Sequence, residues 1–274
     1  MNQSFINPQN NRSCILLHHT RKYESLISIL TYGLKVCYSK EHFNTDFYAA
    51  IPMICFCDIP ISRLSEHVDS YGSYAIGFNK RQLMRKYTHL LNPVNYIVSE
   101  RQIKIAEKIR KETLDSVQQY KGSQVSSTLE DLDRSVISYS DASYLIGYMK
   151  PYSDNKKKGK DYYGECEWRI LLEENVKFKT GESYNWIWNV DEFNKWHKEY
   201  IESGRILDSN LPIMTFDIND IDVIILKSTS ERDRFIKSVM NLTRLGGKDM
   251  QDNDYNKYLL MSKVRFFDEI KKNY

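Results

Sequence analysis

Short apolar runs stand towards both ends of this chain and are missing from its middle, and that order restricts the fold more than any single motif. Ile15-Leu16-Leu17, Met53 to Cys57 and Tyr74 to Phe78 each read as a buried strand, with Val94 to Val98 as a fourth. Two long helical stretches follow, about Glu100 to Tyr120 and about Leu129 to Met149, separated by the Gly-Ser segment from Gly122 to Ser127. Apolar strands return at Ile213 to Phe216 and Val223 to Leu226, and Tyr258 to Met261 reads as a last one. Strands before and after a helical block predict an α+β chain rather than a regular βαβ alternation. With 274 residues, 41% of them hydrophobic, the chain can bury a core of its own. It reads as a single domain over 1–274, with a loose polar tail over 1–12 and a helical insertion over about 100–150.

Local signals fill in the frame. Tyr23, Leu26, Ile27 and Leu30 make one apolar helical stripe, with Thr20 placed to cap its start and Gly33 to end it. Leu64, Val68 and Tyr71 predict a short helix broken at Gly72, and a further helix is expected from Asp191 to Ser203. Ser228 with Glu231 has the spacing of a capping box. Between Cys166 and Leu172 the chain alternates. Trp168, Ile170 and Leu172 share one face and Glu167 and Arg169 the other, which predicts a strand with one wet side.

The bulk numbers exclude several classes. A net charge of +3 is too small to imply nucleic-acid binding by itself. The five cysteines are odd in number and form no Cys-x-x-Cys, and the first residues lack an apolar leader, so reduced thiols and a cytosolic setting are expected. No apolar run approaches the roughly 20 residues of a membrane span, so no membrane partner is expected. Gly-x-Gly-x-x-Gly, Walker A, Gly-x-Ser-x-Gly and His-Glu-x-x-His are all absent.

Four groups of residues could carry chemistry. His18-His19-Thr20 stands at a strand end before a helix; an imidazole and a hydroxyl two apart can both bond a ribose, or can be a buried structural His beside a capping Thr. Glu165-x-Glu167-x-Arg169 sets two carboxylates beside a guanidinium. Such a set can stabilise a developing positive charge on a sugar carbon, or can be a surface ion pair. Cys55, Cys57 and His67 contain zinc-type ligands without a fourth at typical spacing, so no metal is expected. Lys156, Lys157, Lys158 and Lys160 crowd one loop and could hold a polyanion, although such runs are usually just solvated.

Several of these segments carry a resemblance. Leu17-His18-His19-Thr20, Ile51 to Pro60, Tyr71 to Phe78, Glu165-Cys166-Glu167-Trp168-Arg169 and Asp220 to Ile225 are together similar to the AbiGi-type family of abortive phage-infection proteins. Cys55-Phe56-Cys57-Asp58-Ile59-Pro60 is the most specific block. The family resemblance implies the antitoxin of a phage-resistance pair, with a toxin as partner. Trp186 and Trp188 are candidate anchors for such a partner. A second and weaker resemblance is to ADP-ribosyltransferases, which place a His-x-Ser/Thr, an aromatic residue and a Glu in this order. It implies a transferase-like sheet core, NAD as co-substrate and a nucleic-acid or protein acceptor. By that likeness His18, Tyr71 and Glu167 would be catalytic, and His18, Thr20, Tyr74 and Glu165 would bind NAD. His19 competes with His18, and Tyr71 with Tyr74 for the middle position.

Overall fold

The computed structural model describes residues 13–43, 47–122, 141–153, 161–171, 190–202, 213–250 and 254–273. The expected tail at 1–12, the lysine loop, Trp186 and Trp188 lie outside these residues, as does most of the second long helical stretch. Within them the chain is α+β, built on one mixed eight-stranded sheet.

The centre of that sheet is made by β1 (Ile15–Thr20), β5 (Tyr74–Asn79) and β11 (Ile221–Leu226). β1 pairs antiparallel with β5 over its whole length, and β5 with β11. The far edge is β14 (Val264–Phe266), which runs parallel to β11. On the other side lie β4 (Tyr48–Cys57), β9 (Glu167–Leu171) and β6 (Leu91–Pro93), joined antiparallel. β4 is longer than its apolar run suggested, because β3 (Cys37–His42) pairs along its first half and tolerates Pro52.

One junction in this sheet is weak. β1 and β4 share a single register pair, Leu17 with Cys57. Beyond it the strands part, and β3 takes over the edge of β4.

Strand alternation divides the side chains between two faces. Leu16, Ile54, Phe56, Ile76, Phe78, Trp168 and Ile170 point to the first and form the main core. It is covered by α1 (Tyr23–Tyr32), α3 (Lys80–Lys86), α7 (Arg232–Met240) and α8 (Asp254–Ser262), which contribute Leu26, Leu30, Leu83, Phe235, Val239 and Leu260. Leu17, Cys57, Ala75, Val223 and Ile225 point to the second face, with Leu64, at the start of α2 (Ser65–Tyr71), and Ile270 of α9 (Phe267–Asn273). Further along that face Ala49, Ile51, Met53 and Leu171 meet Ile103 and Ala106 of α4 (Glu100–Gly122), and Ile146 of α5, helical over 141–147.

Four local expectations need correction. Thr20 does not cap α1: it stays in β1, and the capping position falls to Lys22, whose side chain makes no capping bond. Ser228 makes no capping bond either. The Glu231 carboxylate instead accepts from the Tyr74 hydroxyl at 2.6 Å and the Lys227 N–H at 3.1 Å, so a tertiary contact takes the group that a capping box needs. Tyr258 to Met261 is helical within α8, with Leu260 inward and Tyr258 exposed, and the strand comes after it. Val94 to Val98 narrows to β7 (Asn95–Ile97), which pairs with β8 (Met149–Pro151) away from the main sheet.

Gly72 ends α2 at φ 104° and ψ 162°, a region that is essentially glycine-only. A Cβ there would lie 2.3 Å from the Thr20 carbonyl oxygen and 2.6 Å from the Arg21 Cα. Gly72→Ala is therefore expected to cost about 3 kcal/mol, from backbone strain and overpacking together. Denaturant unfolding would read this directly, and a cost below about 1 kcal/mol would show that the α2–β1 contact is loose.

Candidate functional site

The sequence predicts a wet face for β9, yet all five β9 residues are buried. Glu167 and Arg169 point to the second face, into a polar seam between two apolar clusters. Their ion pair is real, but it is not on the surface. Arg169 has no exposed side-chain area. Its Nε donates to Glu167 Oε1 at 2.7 Å and its Nη2 to Glu41 Oε1 at 2.5 Å. Its Nη1 donates to the carbonyls of Gly147 at 2.8 Å and Met149 at 3.2 Å. A guanidinium suits this position because its donors form a rigid fork.

Lys150 completes the seam. Its ammonium donates to Glu165 Oε2 at 2.7 Å and Glu167 Oε2 at 2.6 Å, and it lies 4.7 Å from the centre of the Tyr162 ring. The Tyr71 hydroxyl donates to the remaining Glu165 oxygen. Tyr96 accepts from the Glu167 N–H at 2.8 Å.

Glu165 reaches Lys150 by an irregular route. It sits in a one-turn 3₁₀ helix, and the next residue, Cys166, has φ 44° and ψ 49°. Strand spacing would already put Glu165 on the side of Glu167, and with Cys166 left-handed between them the two carboxylates still meet the same ammonium.

The titration behaviour follows from burial and pairing. Burial opposes the charged form of Glu167, but Arg169 and Lys150 outweigh it and hold its carboxyl down at about 2. At Glu41 burial wins over the single Arg169 contact and pushes the carboxyl up. Burial also lowers Lys150, yet the three surrounding carboxylates more than reverse this. Burial pushes the Tyr71 hydroxyl and the Cys55 thiol up.

His18 lies on the other face of the sheet, with Phe56 at 5.9 Å between ring centres. Where β1 and β4 part, the Cys55 carbonyl lies 2.9 Å from His18 Nδ1, which donates to it. The imidazole satisfies a backbone acceptor beside the gap in the ladder. Burial lowers its pKa and keeps the ring neutral. Thr20 and Tyr74 are paired in the β1–β5 ladder and share this face. His19 points to the second face instead. Its Nδ1 donates to the Gly72 carbonyl at 3.2 Å, and burial brings its pKa down to about 4.

The structure thus brings together Glu165, Glu167 and Tyr71, adding Glu41, Lys150 and Tyr96, which nothing in the sequence pattern singled out. It does not bring His18, Thr20 and Tyr74 to them, because adjacent residues of one strand face opposite ways. Among the described residues no group of three or more His, Cys, Asp and Glu side chains is placed to hold a metal ion.

The family described as "Putative abortive phage resistance protein AbiGi, antitoxin" matches residues 35–227, well over half of the chain. The chain belongs to the AbiGi family. The AbiGi match takes in every member of the ion network and leaves His18 and Thr20 outside. Abortive phage resistance protein AbiGi of Lactococcus lactis subsp. cremoris is 25% identical over 248 residues, covering 82% of this chain and 89% of that protein. No solved structure matches the fold. No helix among the described residues is long and apolar enough to cross a membrane.

Proposed function

We propose that this AbiGi protein is the antitoxin of a phage-resistance pair, acting by binding a partner toxin, and that the Glu165–Glu167–Arg169 seam is scaffold rather than a reacting centre. One observation carries this reading. All four carboxylate oxygens of Glu165 and Glu167 are already taken, by Tyr71, Lys150 and Arg169. A carboxylate that stabilises a sugar cation needs an oxygen facing an open cleft. The family description supports the same reading. In co-expression with a toxin from its own defence locus, wild type and His18→Ala should both restore growth and co-elute with the toxin. Loss of rescue by His18→Ala with an intact circular dichroism spectrum, or failure of the wild type to co-elute, overturns the proposal.

A second reading is NAD-dependent ADP-ribosyl transfer to a nucleic-acid or protein acceptor, on a transferase-like core. One feature favours it. Where β1 and β4 part, a cavity of about 600 Å³ opens beside His18, lined by Ser25, Ser28, Leu34 and Ile54. That volume suits a ligand of nucleotide size. In this reading His18 and Thr20 hold the ribose, and Glu167, which faces the other side of the sheet, must leave Lys150 and Arg169 and change face before it can reach the sugar. Calorimetry with NAD separates the two readings. Binding that is lost with His18→Ala supports an NAD site beside β1, and no binding at millimolar NAD ends this reading.

A further inference from the structure

We propose that Cys166 is an oxidation site resolved by Cys57, so that hydrogen peroxide converts the two thiols into a disulfide at the end of the β4–β9 ladder. All five cysteines are thiols in the structure. Cys57 closes β4 opposite Glu167. The next residue, Asp58, donates its N–H to the Cys166 carbonyl at 3.0 Å. Cys166 immediately precedes β9, so the two cysteines stand one step apart across the end of the β4–β9 pair. Strand spacing of about 4.8 Å and a rise of about 3.4 Å put their α-carbons roughly 6 Å apart. A disulfide spans about 4.4–6.8 Å.

A regular strand would send these side chains to opposite faces. The left-handed backbone of Cys166 removes that obstacle, and both residues pack in the apolar cluster beneath α2. The positive φ costs a non-glycine residue about 1–2 kcal/mol. It is held on both sides, because Glu165 and Glu167 flank Cys166 and both grip Lys150. A tether at this residue would therefore act directly on the ion network.

Exposure sets the order of events. Cys166 is half-buried and meets the oxidant, while Cys57 is buried. The Cys166 thiolate attacks one peroxide oxygen and the O–O bond breaks. The leaving oxygen departs as water after taking a proton, and a sulfenic acid remains. The Cys57 sulfur then attacks the sulfenic sulfur. The S–S bond forms, the S–O bond breaks, and the Cys57 proton leaves with the oxygen as a second water. The two thiols lose two electrons and the peroxide gains them. Burial pushes the Cys57 thiol up, which, with its lack of exposure, leaves Cys166 as the residue that meets the peroxide first.

The test uses the full chain carrying Cys14→Ser and Cys37→Ser, which removes the two exposed thiols. Hydrogen peroxide treatment, alkylation and peptide mapping are followed by intact mass. The expected result is a loss of about 2 Da, a linked 57–166 peptide and full reversal by dithiothreitol. With Cys57→Ser, Cys166 should instead stay as a sulfenic acid, about 16 Da heavier and reactive with dimedone. Full alkylation of both thiols after peroxide overturns the proposal, as does a 55–166 linkage. So does a sulfenic or sulfinic Cys166 while Cys57 is present. The mass of the Cys57 protein decides the matter even if Cys57→Ser folds poorly.

Discussion

Arg169→Met is expected to destabilise the fold by about 3–5 kcal/mol, because it removes one partner of a buried ion network and leaves the others charged. Arg169 is 0% exposed and contacts Glu41, Glu167 and two carbonyls. Met fills similar volume, so little of the loss would come from a cavity. After the change Lys150 alone faces three carboxylates. For a chain of this size the loss corresponds to a fall in Tm of roughly 10 °C. Urea unfolding of both proteins at pH 7 reads the difference. A cost below about 1 kcal/mol would mean that the network is wet and behaves like a surface pair.

Acid should unfold the protein through Glu167. Its carboxyl lies at about 2 in the folded chain against an ordinary 4.5. A carboxyl depressed by folding contributes stability above its unfolded pKa, and that stability fades as pH falls through the folded value. The contribution is about 3 kcal/mol, lost between pH about 4.5 and about 2. Glu41 works in the opposite sense. Its raised carboxyl favours the fold at low pH and loses that contribution as pH rises past its unfolded value towards its folded one. Tm measured from pH 7 to 2 should therefore drop steeply for wild type. Glu167→Gln should flatten that limb, whereas Glu41→Gln should leave it or steepen it. An unchanged limb in Glu167→Gln would falsify the assignment.

Much of the secondary structure was legible because it rests on local period. The stripe of Tyr23, Leu26 and Leu30 predicts α1, and the alternation of Trp168 and Ile170 predicts β9, since each pattern is set by neighbours within a few residues. The local signals misled where a distant group competed. Glu231 could have closed a capping box, but Tyr74 holds it across 157 residues of chain. The apolar run Tyr258 to Met261 fits a strand or a helix equally well at that length, and packing of Leu260 against the main core decides for the helix.

The candidate site was half visible. Glu165, Glu167 and Arg169 stand out as charges at strand spacing, and AbiGi membership was legible in the Cys-Phe-Cys-Asp-Ile-Pro block and its neighbours. That these charges are buried was not visible, because burial depends on what lies over the second face. Glu41 and Lys150 come from 128 and 19 positions before Arg169, and only the pairing of β3 with β4 and of β7 with β8 delivers them. The sequence by itself determined the α+β class, the family and the charged residue types. The tertiary structure alone decided which face each charge took. One step along a strand reverses a side chain, and the parting of β1 from β4 gives His18 a structural role one face away from Glu167.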